Sequence, residues 1–274
     1  MTIDELKEVQ RINFELLCEV NKICEKYNIE YFLIHGTLLG AVRHKGTIPW
    51  DDDVDIAMTR ENYQRFIKIA KKELSTNTSM FIMGSGSTRY VSELKIGRTN
   101  TLYYAPGTEN LKIVKFVHLD VFLLDTLKKP NKIKLKAINA LRFIKLNWDE
   151  KKLILMNIDN SAKRHKVFYK VMVYLSSIPR FIIGEKNMEH IIYNIAVDKT
   201  GKSNYMGPVM DIKCFFWNKN DFMNSIKLEY EGNMFPAPIG YDRILKNNYG
   251  DYMTEPDENN KYRPDFDSWI FRLT

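Results

Sequence analysis

The sequence has few cysteines. The 274 residues include three, Cys18, Cys24 and Cys214. An odd number without metal-ligand spacing argues against a disulfide framework or a zinc site and favours a reducing compartment. The chain is long enough to bury a sizeable core as one domain with an insertion.

Targeting and membrane-spanning patterns are also lacking. Acidic and basic residues are mixed from Asp4 onward, which is unlike a signal peptide. The most apolar stretch, residues 167–183, is interrupted by Lys170, Pro179 and Arg180, so it does not predict a transmembrane helix. We therefore expect a cytoplasmic protein.

Apolar residues recur at helical spacing near the N-terminus. The pattern predicts a helix that faces the core, and nothing in it indicates a further function. Its members are Leu6, Val9, Ile12, Leu16, Val20, Ile23 and Tyr27.

Positive charge is in excess, with a net charge of +7. Much of it lies in a lysine-rich stretch from residue 128 that includes Lys132, Lys134 and Lys136. Together with nearby Val, Ile, Phe and Tyr, this is typical of helices that bind an anionic membrane surface. The alternative is a solvated helical hairpin packed on the core. Nucleic-acid binding is less favoured, because the apolar residues are mainly aliphatic.

The most informative segment is an acidic block in which four of five residues are aspartates, Asp51, Asp52, Asp53 and Asp55. Such carboxylates repel each other unless each faces solvent or a cation neutralises them. Residues 53–57 alternate charged and apolar, which predicts a strand with Asp53 and Asp55 on one face and Asp52 pointing away. All-oxygen ligands suit Mg²⁺ or Mn²⁺. An acidic surface loop is the alternative.

A turn of small residues precedes this block. Residues 31–34 predict a short buried strand, and Gly36 and Thr37 lead into a helix expected to begin near Leu38. Gly36 permits close approach of a phosphate, Thr37 offers a hydroxyl, and the helix N-terminus attracts anions. Arg43 and His44 lie between the turn and the acids, where Arg43 is suited to clamping phosphate oxygens.

A third acid lies further along the chain. Residues 117–125 form an apolar run interrupted by Asp120, and a carboxylate there is costly to bury unless it is paired or metal-bound. Asp120 facing solvent on an edge strand is the alternative, and Asp125 is expected to mark the strand end.

Residues 90–100 predict a neighbouring strand, whose Lys95 and Arg98 either bind phosphate or are exposed strand charges.

The order of these features resembles the polymerase-beta-type nucleotidyltransferase superfamily. The segment GTLLGAVRHKGTIPWDDDVDI, residues 36–56, is similar to the LicD family of phosphocholine transferases, to which the fukutin-like transferases are related. A second match includes FPAP at residues 235–238 and YGDYM at residues 249–253. With the Asp120 segment, the resemblance covers about residues 5–127 and 204–260.

The resemblance implies an α/β fold of the α+β type. Residues 1–127 would form a polymerase-beta-type nucleotidyltransferase core with a small mixed sheet. The resemblance does not extend to residues 128–200, where the lysine-rich pattern predicts a basic helical insertion. Residues 201–274 would form a C-terminal helical segment that packs back on the core.

The resemblance also implies an enzyme that transfers phosphocholine, or a related phospho-alcohol, and releases CMP. The donor would be CDP-choline or a CDP-polyol, and the acceptor a hydroxyl of a teichoic acid or lipopolysaccharide precursor on a lipid carrier. Such an enzyme would work at the inner face of the plasma membrane. Mg²⁺ or Mn²⁺ would be held by Asp51, Asp53, Asp55 and Asp120.

Catalysis would rest on Asp53, Asp55 and Asp120, with Asp120 sharing a second metal or accepting the proton of the attacking hydroxyl. Gly36, Thr37, Arg43, His44, Trp50, Lys95 and Arg98 would contact the donor. A choline group would sit against aromatic rings, for which the candidates are Trp50, Tyr103, Tyr104 and Trp217. Two alternatives stay open: a nucleotidyltransferase acting on a small molecule or an RNA end, and a non-catalytic scaffold at the membrane surface.

Overall fold

A computed structural model describes residues 1–82, 93–106, 108, 114–129, 131–149, 167, 170, 171, 174, 182–209, 216–257 and 269–274. Within these ranges the helices are α1 Ile3–Lys26, α2 His35–Arg43, α3 Arg60–Glu73, α4 Lys132–Asp149, α5 Glu185–Ala196 and α6 Tyr241–Tyr249. The strands are β1 Phe32–Leu33, β2 Val54–Thr59, β3 Thr78–Ile82, β4 Glu93–Arg98, β5 Thr101–Tyr104, β6 His118–Leu127, β7 Tyr205–Pro208, β8 Trp217–Asn218, β9 Ser225–Tyr230, β10 Asn233–Pro238 and β11 Ile270–Leu273. A 3₁₀ helix spans Lys219–Phe222.

A mixed sheet forms the centre of the fold, with strand order β1-β2-β6-β4-β3. β2 and β6 are parallel, and the other pairs are antiparallel. β4 pairs with the first half of β6, and β7 continues along its second half and leads to β8. The predicted mixed α/β architecture is confirmed, and the polymerase-beta-type core stays a prediction.

Helices α1 and α3 cover one face of this sheet. Alternation along the strands directs Leu94 and Ile96 to the same face as Arg98, which bonds Glu19 of α1. Likewise Leu119 and Val121 share a face with Asp125, which bonds Arg60 of α3. All four of these apolar residues are fully buried, so this face carries much of the core. The opposite face carries Asp55, Lys95 and Asp120, next to the buried apolar residues Ala57 and Leu124.

Three sequence-based expectations differ from the structure. Helix α2 begins at His35 rather than near Leu38, so Gly36 and Thr37 lie in its first turn. β6 runs on to Leu127, because the Arg60 guanidinium neutralises Asp125 and lets a carboxylate lie within the strand. The C-terminal segment was expected to be helical, but its described part has one α-helix, α6, and the short strands β7 to β11.

The basic insertion is described only in part, and most of residues 150–181 lies outside the described residues. Helices α4 and α5 pack on each other. A small second core forms there, which includes Leu127, Ile138, Ile192, Ala196, Val197 and Val209. In the described part of the chain, no helix combines the length and apolar character needed to cross a membrane. The proposed domain boundaries stay a prediction.

The Arg60–Asp125 pair gives a test of this packing. Arg60 donates from Nε and Nη2 to the two carboxylate oxygens at 2.7 and 2.6 Å, and Asp125 is 5% exposed. Arg60→Ala should lower the free energy of unfolding by about 3–5 kcal/mol, because it leaves a buried charge without its partner. Urea denaturation measures the loss.

The matched control is Lys68→Ala, on the exposed side of the same helix, with an expected loss below about 1 kcal/mol. Burial raises the pKa of Asp125, and the Arg60 bond opposes that rise. Without Arg60 the pKa of the Asp125 carboxyl rises further. At low pH the carboxyl group is therefore protonated and neutral in the folded variant, and it no longer needs a cationic partner. The stability deficit should therefore shrink as the pH is lowered, and a deficit independent of pH would contradict the assignment.

Candidate active site

Three adjacent strands place three charged residues in one row. The register sets Asp55 of β2 beside Asp120 of β6, and Asp120 beside Lys95 of β4. The Lys95 Nζ donates to both Asp120 carboxylate oxygens at 2.7 and 2.9 Å, and it lies 3.0 Å from His118 Nε2. The sheet therefore brings together two acids and a lysine that the sequence separates by up to 65 residues (120 minus 55).

The acidic loop, residues 51–53, lies directly before β2. One carboxylate oxygen from each of Asp51, Asp52 and Asp53 lies within 4.8 Å of the others. Asp52 therefore does not point away, contrary to the sequence-based expectation. The two-residue alternation does not apply to it, because the strand begins only at Val54.

Asp52 also has a partner that sequence analysis missed. The Tyr103 hydroxyl of β5 donates to Asp52 Oδ2. The Tyr103 ring packs on Trp269, with 4.8 Å between the ring centroids. Tyr103 was considered only as a choline contact, because nothing in the sequence relates β5 to the acidic loop.

The electrostatics of the cluster favour a cation. Burial, followed by repulsion from Asp52, raises the pKa of Asp51 to about 6. Loss of surrounding water, followed by repulsion from neighbouring aspartates, raises the pKa of Asp53 and Asp55 well above the ordinary value. Asp53 is exposed to solvent, whereas Asp55 is buried at 8% exposure. A hard divalent cation would relieve this repulsion, and carboxylate oxygens are the ligands it prefers.

Burial also raises the pKa of Asp120, but Lys95 opposes the rise through its charge and its hydrogen bonds. The negative charge of Asp120 is therefore balanced by the Lys95 ammonium, whereas the negative charges of the acidic loop have no such lysine partner among the described residues. The Lys95 charge also acts to lower the pKa of Asp53 and Asp55, as a smaller influence than burial and repulsion.

The first turn of α2 supports the acids directly. A Cβ on Gly36 would lie 2.5 Å from Asp51 Oδ2, so only glycine leaves room for that carboxylate. Thr37 is 2% exposed, and its Oγ1 accepts a hydrogen bond from the backbone N–H of Asp55 at 2.8 Å. The two residues predicted to contact phosphate thus link the turn to the aspartates.

Other predicted donor contacts are engaged by the rest of the chain. Arg43 Nη1 donates to the Tyr252 carbonyl at 3.0 Å, and burial lowers the pKa of Arg43. His44 Nε2 lies 3.2 Å from Glu255 Oε1, and its ring meets Trp50 edge-on at 6.0 Å between centroids. The C-terminal segment thus holds the loop that leads to the acids.

Arg98 and Trp217 are not brought to the aspartates. Arg98 bonds Glu19 at 3.1 Å and Thr78 at 2.6 Å, on the face of β4 opposite Lys95, because odd and even strand positions point to opposite faces. Trp217 is buried in the core at 1% exposure. Of the two basic residues predicted on β4, the structure brings Lys95 to the cluster.

A mixed α/β protein with a carboxylate cluster directly before a central strand, β2, is an arrangement that suits group-transfer chemistry. Residues 28–118 match the family described as LicD/FKTN/FKRP, nucleotidyltransferase domain. The resemblance to the LicD family is confirmed over these residues, and the prediction of a transferase is confirmed at the level of enzyme class.

Three relatives extend the comparison. The chain is 29% identical over 258 residues to the lipopolysaccharide cholinephosphotransferase LicD of Haemophilus influenzae, which covers 93% of this chain and 94% of the relative. It is 30% identical over 125 residues to an uncharacterised protein of Rickettsia typhi, 40% of each chain. It is 47% identical over 49 residues to an uncharacterised protein of Rickettsia prowazekii, 18% of each chain.

The contact between Gly36 and Asp51 gives a test of the site geometry. Gly36→Ala should destabilise the protein by no more than about 1 kcal/mol, because the added methyl group displaces the Asp51 carboxylate, which ends a flexible side chain. In the double variant Gly36→Ala/Asp51→Ala the clash is gone. Alanine is also a better helix former than glycine, by about 1 kcal/mol. The double variant should therefore be at least as stable as Asp51→Ala alone. Thermal unfolding of the three variants measures this coupling, and simple additivity would contradict it.

Proposed function

We propose that this chain transfers phosphocholine, or a related phospho-alcohol, from a CDP-linked donor to a hydroxyl of a cell-surface glycan precursor, and releases CMP. The observation that carries the proposal is the carboxylate cluster of the acidic loop with Asp55 and Asp120. The acidic loop and Asp55 lie within residues 28–118, which match the LicD/FKTN/FKRP nucleotidyltransferase domain, and Asp120 lies two residues beyond it. The whole chain aligns over nearly its full length with a cholinephosphotransferase.

Mg²⁺ or Mn²⁺ fits the residues present. The donor set is entirely oxygen, and the mutual repulsion of the aspartates leaves negative charge to be neutralised. Asp51, Asp53 and Asp55 would hold the cation, and the closeness of Asp52 adds it as a further candidate ligand. When bound, such a cation neutralises the charge of a pyrophosphate and orients it for in-line displacement.

The chain's own residues have separate roles in this proposal. The acidic loop and Asp55 would hold the cation, which would neutralise charge on the donor pyrophosphate. Asp120 holds the Lys95 ammonium beside the acids, where it is placed to bind a donor phosphate oxygen. Once Lys95 turns to the donor, Asp120 is free to accept the proton of the attacking hydroxyl or to share a second metal. The hydroxyl oxygen then bonds to the phosphorus that carries the choline, and the bond from that phosphorus to CMP breaks.

The choline group needs an aromatic contact if choline is the alcohol transferred. Tyr103 donates its hydroxyl to Asp52 and packs on Trp269, so a negative charge lies near a pair of aromatic rings. Trp269 keeps part of its surface exposed. We propose Trp269, packed on the buried Tyr103, as the contact for the trimethylammonium group, because Trp217 is buried in the core.

The proposed location is the inner face of the plasma membrane, where a lipid-linked acceptor is presented. Exposed lysines at the start of α4, Lys132, Lys134 and Lys136, support it, together with Ile133 at 79% exposure. Cytoplasmic, peripheral localisation stays a prediction, and the apolar part of the insertion lies mostly outside the described residues.

The metal assignment is tested by thermal unfolding. Mg²⁺ or Mn²⁺ at about 100 times its dissociation constant should stabilise the wild type by about 2.7 kcal/mol. Asp53→Asn should lose this effect and the transfer activity. Without divalent cations it should be at least as stable as the wild type, because one repelling charge is gone. Exposed Asp257→Asn is the control and should keep the cation effect. Normal cation-dependent turnover in Asp53→Asn would exclude the assignment.

The donor is tested with a panel of CDP-choline, CDP-ribitol, CDP-glycerol, CTP and ATP. We expect a CDP-alcohol to be cut between its two phosphates, with CMP as the product, and Asp55→Asn to abolish the reaction. Comparing the CDP-alcohols also decides between choline and a polyol as the transferred group. Pyrophosphate release from CTP or ATP, with no reaction of any CDP-alcohol, would instead establish the nucleotidyltransferase alternative. No turnover of any donor would favour the scaffold.

A further inference from the structure

Helix α1 carries two amide side chains that reach the acidic loop. Gln10 Nε2 donates to the backbone carbonyls of Asp51 at 2.8 Å and Ile48 at 3.3 Å. Asn13 Nδ2 donates to the backbone carbonyl of Asp52 at 2.7 Å. Residues three apart on a helix lie on the same side, so both amides face the loop together.

Asn13 is an unusual residue in its surroundings. It is 1% exposed and lies among the buried apolar residues Val9, Leu16 and Leu17 of the same helix. In the described part of the chain its Oδ1 accepts no hydrogen bond. A buried amide oxygen without a partner is unfavourable for folding, so the stability of the core does not account for this residue. What Asn13 supplies is the hydrogen bond to Asp52.

The chemical type of the two side chains also matters. An amide is neutral, so it holds a backbone carbonyl without neutralising the carboxylates nearby. A lysine or arginine in the same place would act as an internal counter-ion, as Lys95 does for Asp120. Neutral donors fix the loop backbone and leave the negative charge of the side chains available to a cation.

We propose that Gln10 and Asn13 are positioning residues. By holding the carbonyls of Asp51 and Asp52, they keep the carboxylates of residues 51–53 converging on a bound cation. This inference rests on the proposed metal-dependent function, and the two amides act through the loop rather than on the metal. Loss of such supporting contacts typically weakens metal affinity or activity about 10–100-fold.

The decisive variant is Asn13→Leu, examined by titration with Mn²⁺ and by thermal unfolding. We expect the Mn²⁺ dissociation constant to rise about 10–100-fold. The melting temperature without metal should be unchanged or higher, because leucine removes the unpaired amide oxygen from the core. A merely structural role would give the opposite pattern, with lower stability and unchanged affinity. Gln10→Ala, at a half-buried position, should also weaken Mn²⁺ binding. This variant tests the proposal if Asn13→Leu does not fold.

The matched control is Asn21→Leu on the same helix. Asn21 Oδ1 accepts a hydrogen bond from the Tyr31 hydroxyl at 2.7 Å. Its loss should lower the melting temperature and leave Mn²⁺ affinity unchanged. Unchanged affinity in folded Asn13→Leu and Gln10→Ala, or weakening equal to that of Asn21→Leu, would overturn the proposal. Failure of the wild type itself to bind Mn²⁺ would instead overturn the metal-dependent function on which the inference rests.

Discussion

Electrostatic repulsion among the aspartates is the constraint on which the site depends. Asp51, Asp52 and Asp53 lie close together, Asp55 is repelled by Asp53 and Asp51, and Asp120 is beside Asp55 in the sheet register. Such a cluster is unfavourable by itself, so the surrounding fold has to hold it in place. The contacts that do so come from nearly every part of the chain.

Backbone contacts do most of this holding. Thr37 binds the N–H of Asp55, the amides of α1 bind the carbonyls of the acidic loop, and Gly36 leaves space for the Asp51 carboxylate. The turn between β9 and β10 contributes from the other side. Glu231 Oε1 there accepts the N–H of Thr47 at 2.8 Å, and its own N–H donates to the Lys45 carbonyl at 2.9 Å. The loop is therefore fixed while its carboxylates stay available.

The two acids of β6 illustrate how position within a strand decides a role. Asp125 faces the helices and is paired with Arg60. Asp120 faces the site and is paired with Lys95. In both pairs the burial cost of the carboxylate is offset by a cation. Of these two pairs, only the Asp120 pair lies beside further carboxylates. We therefore assign the Asp120 pair a role in the proposed reaction, and the Asp125 pair a role in packing the helices on the sheet.

The sequence by itself determined the acidic block, the third acid at Asp120, the short strands around them and the family resemblance, because these depend on local spacing and alternation. It did not determine the first turn of α2, the strands of the C-terminal segment or the inward position of Asp52, because alternation holds only within a regular strand. Only the tertiary structure placed Lys95 on Asp120, Tyr103 on Asp52 and Asn13 on the loop carbonyl. Those contacts join residues 25, 51 and 39 positions apart, and pairing over such separations depends on sheet register and helix packing, which no local pattern encodes.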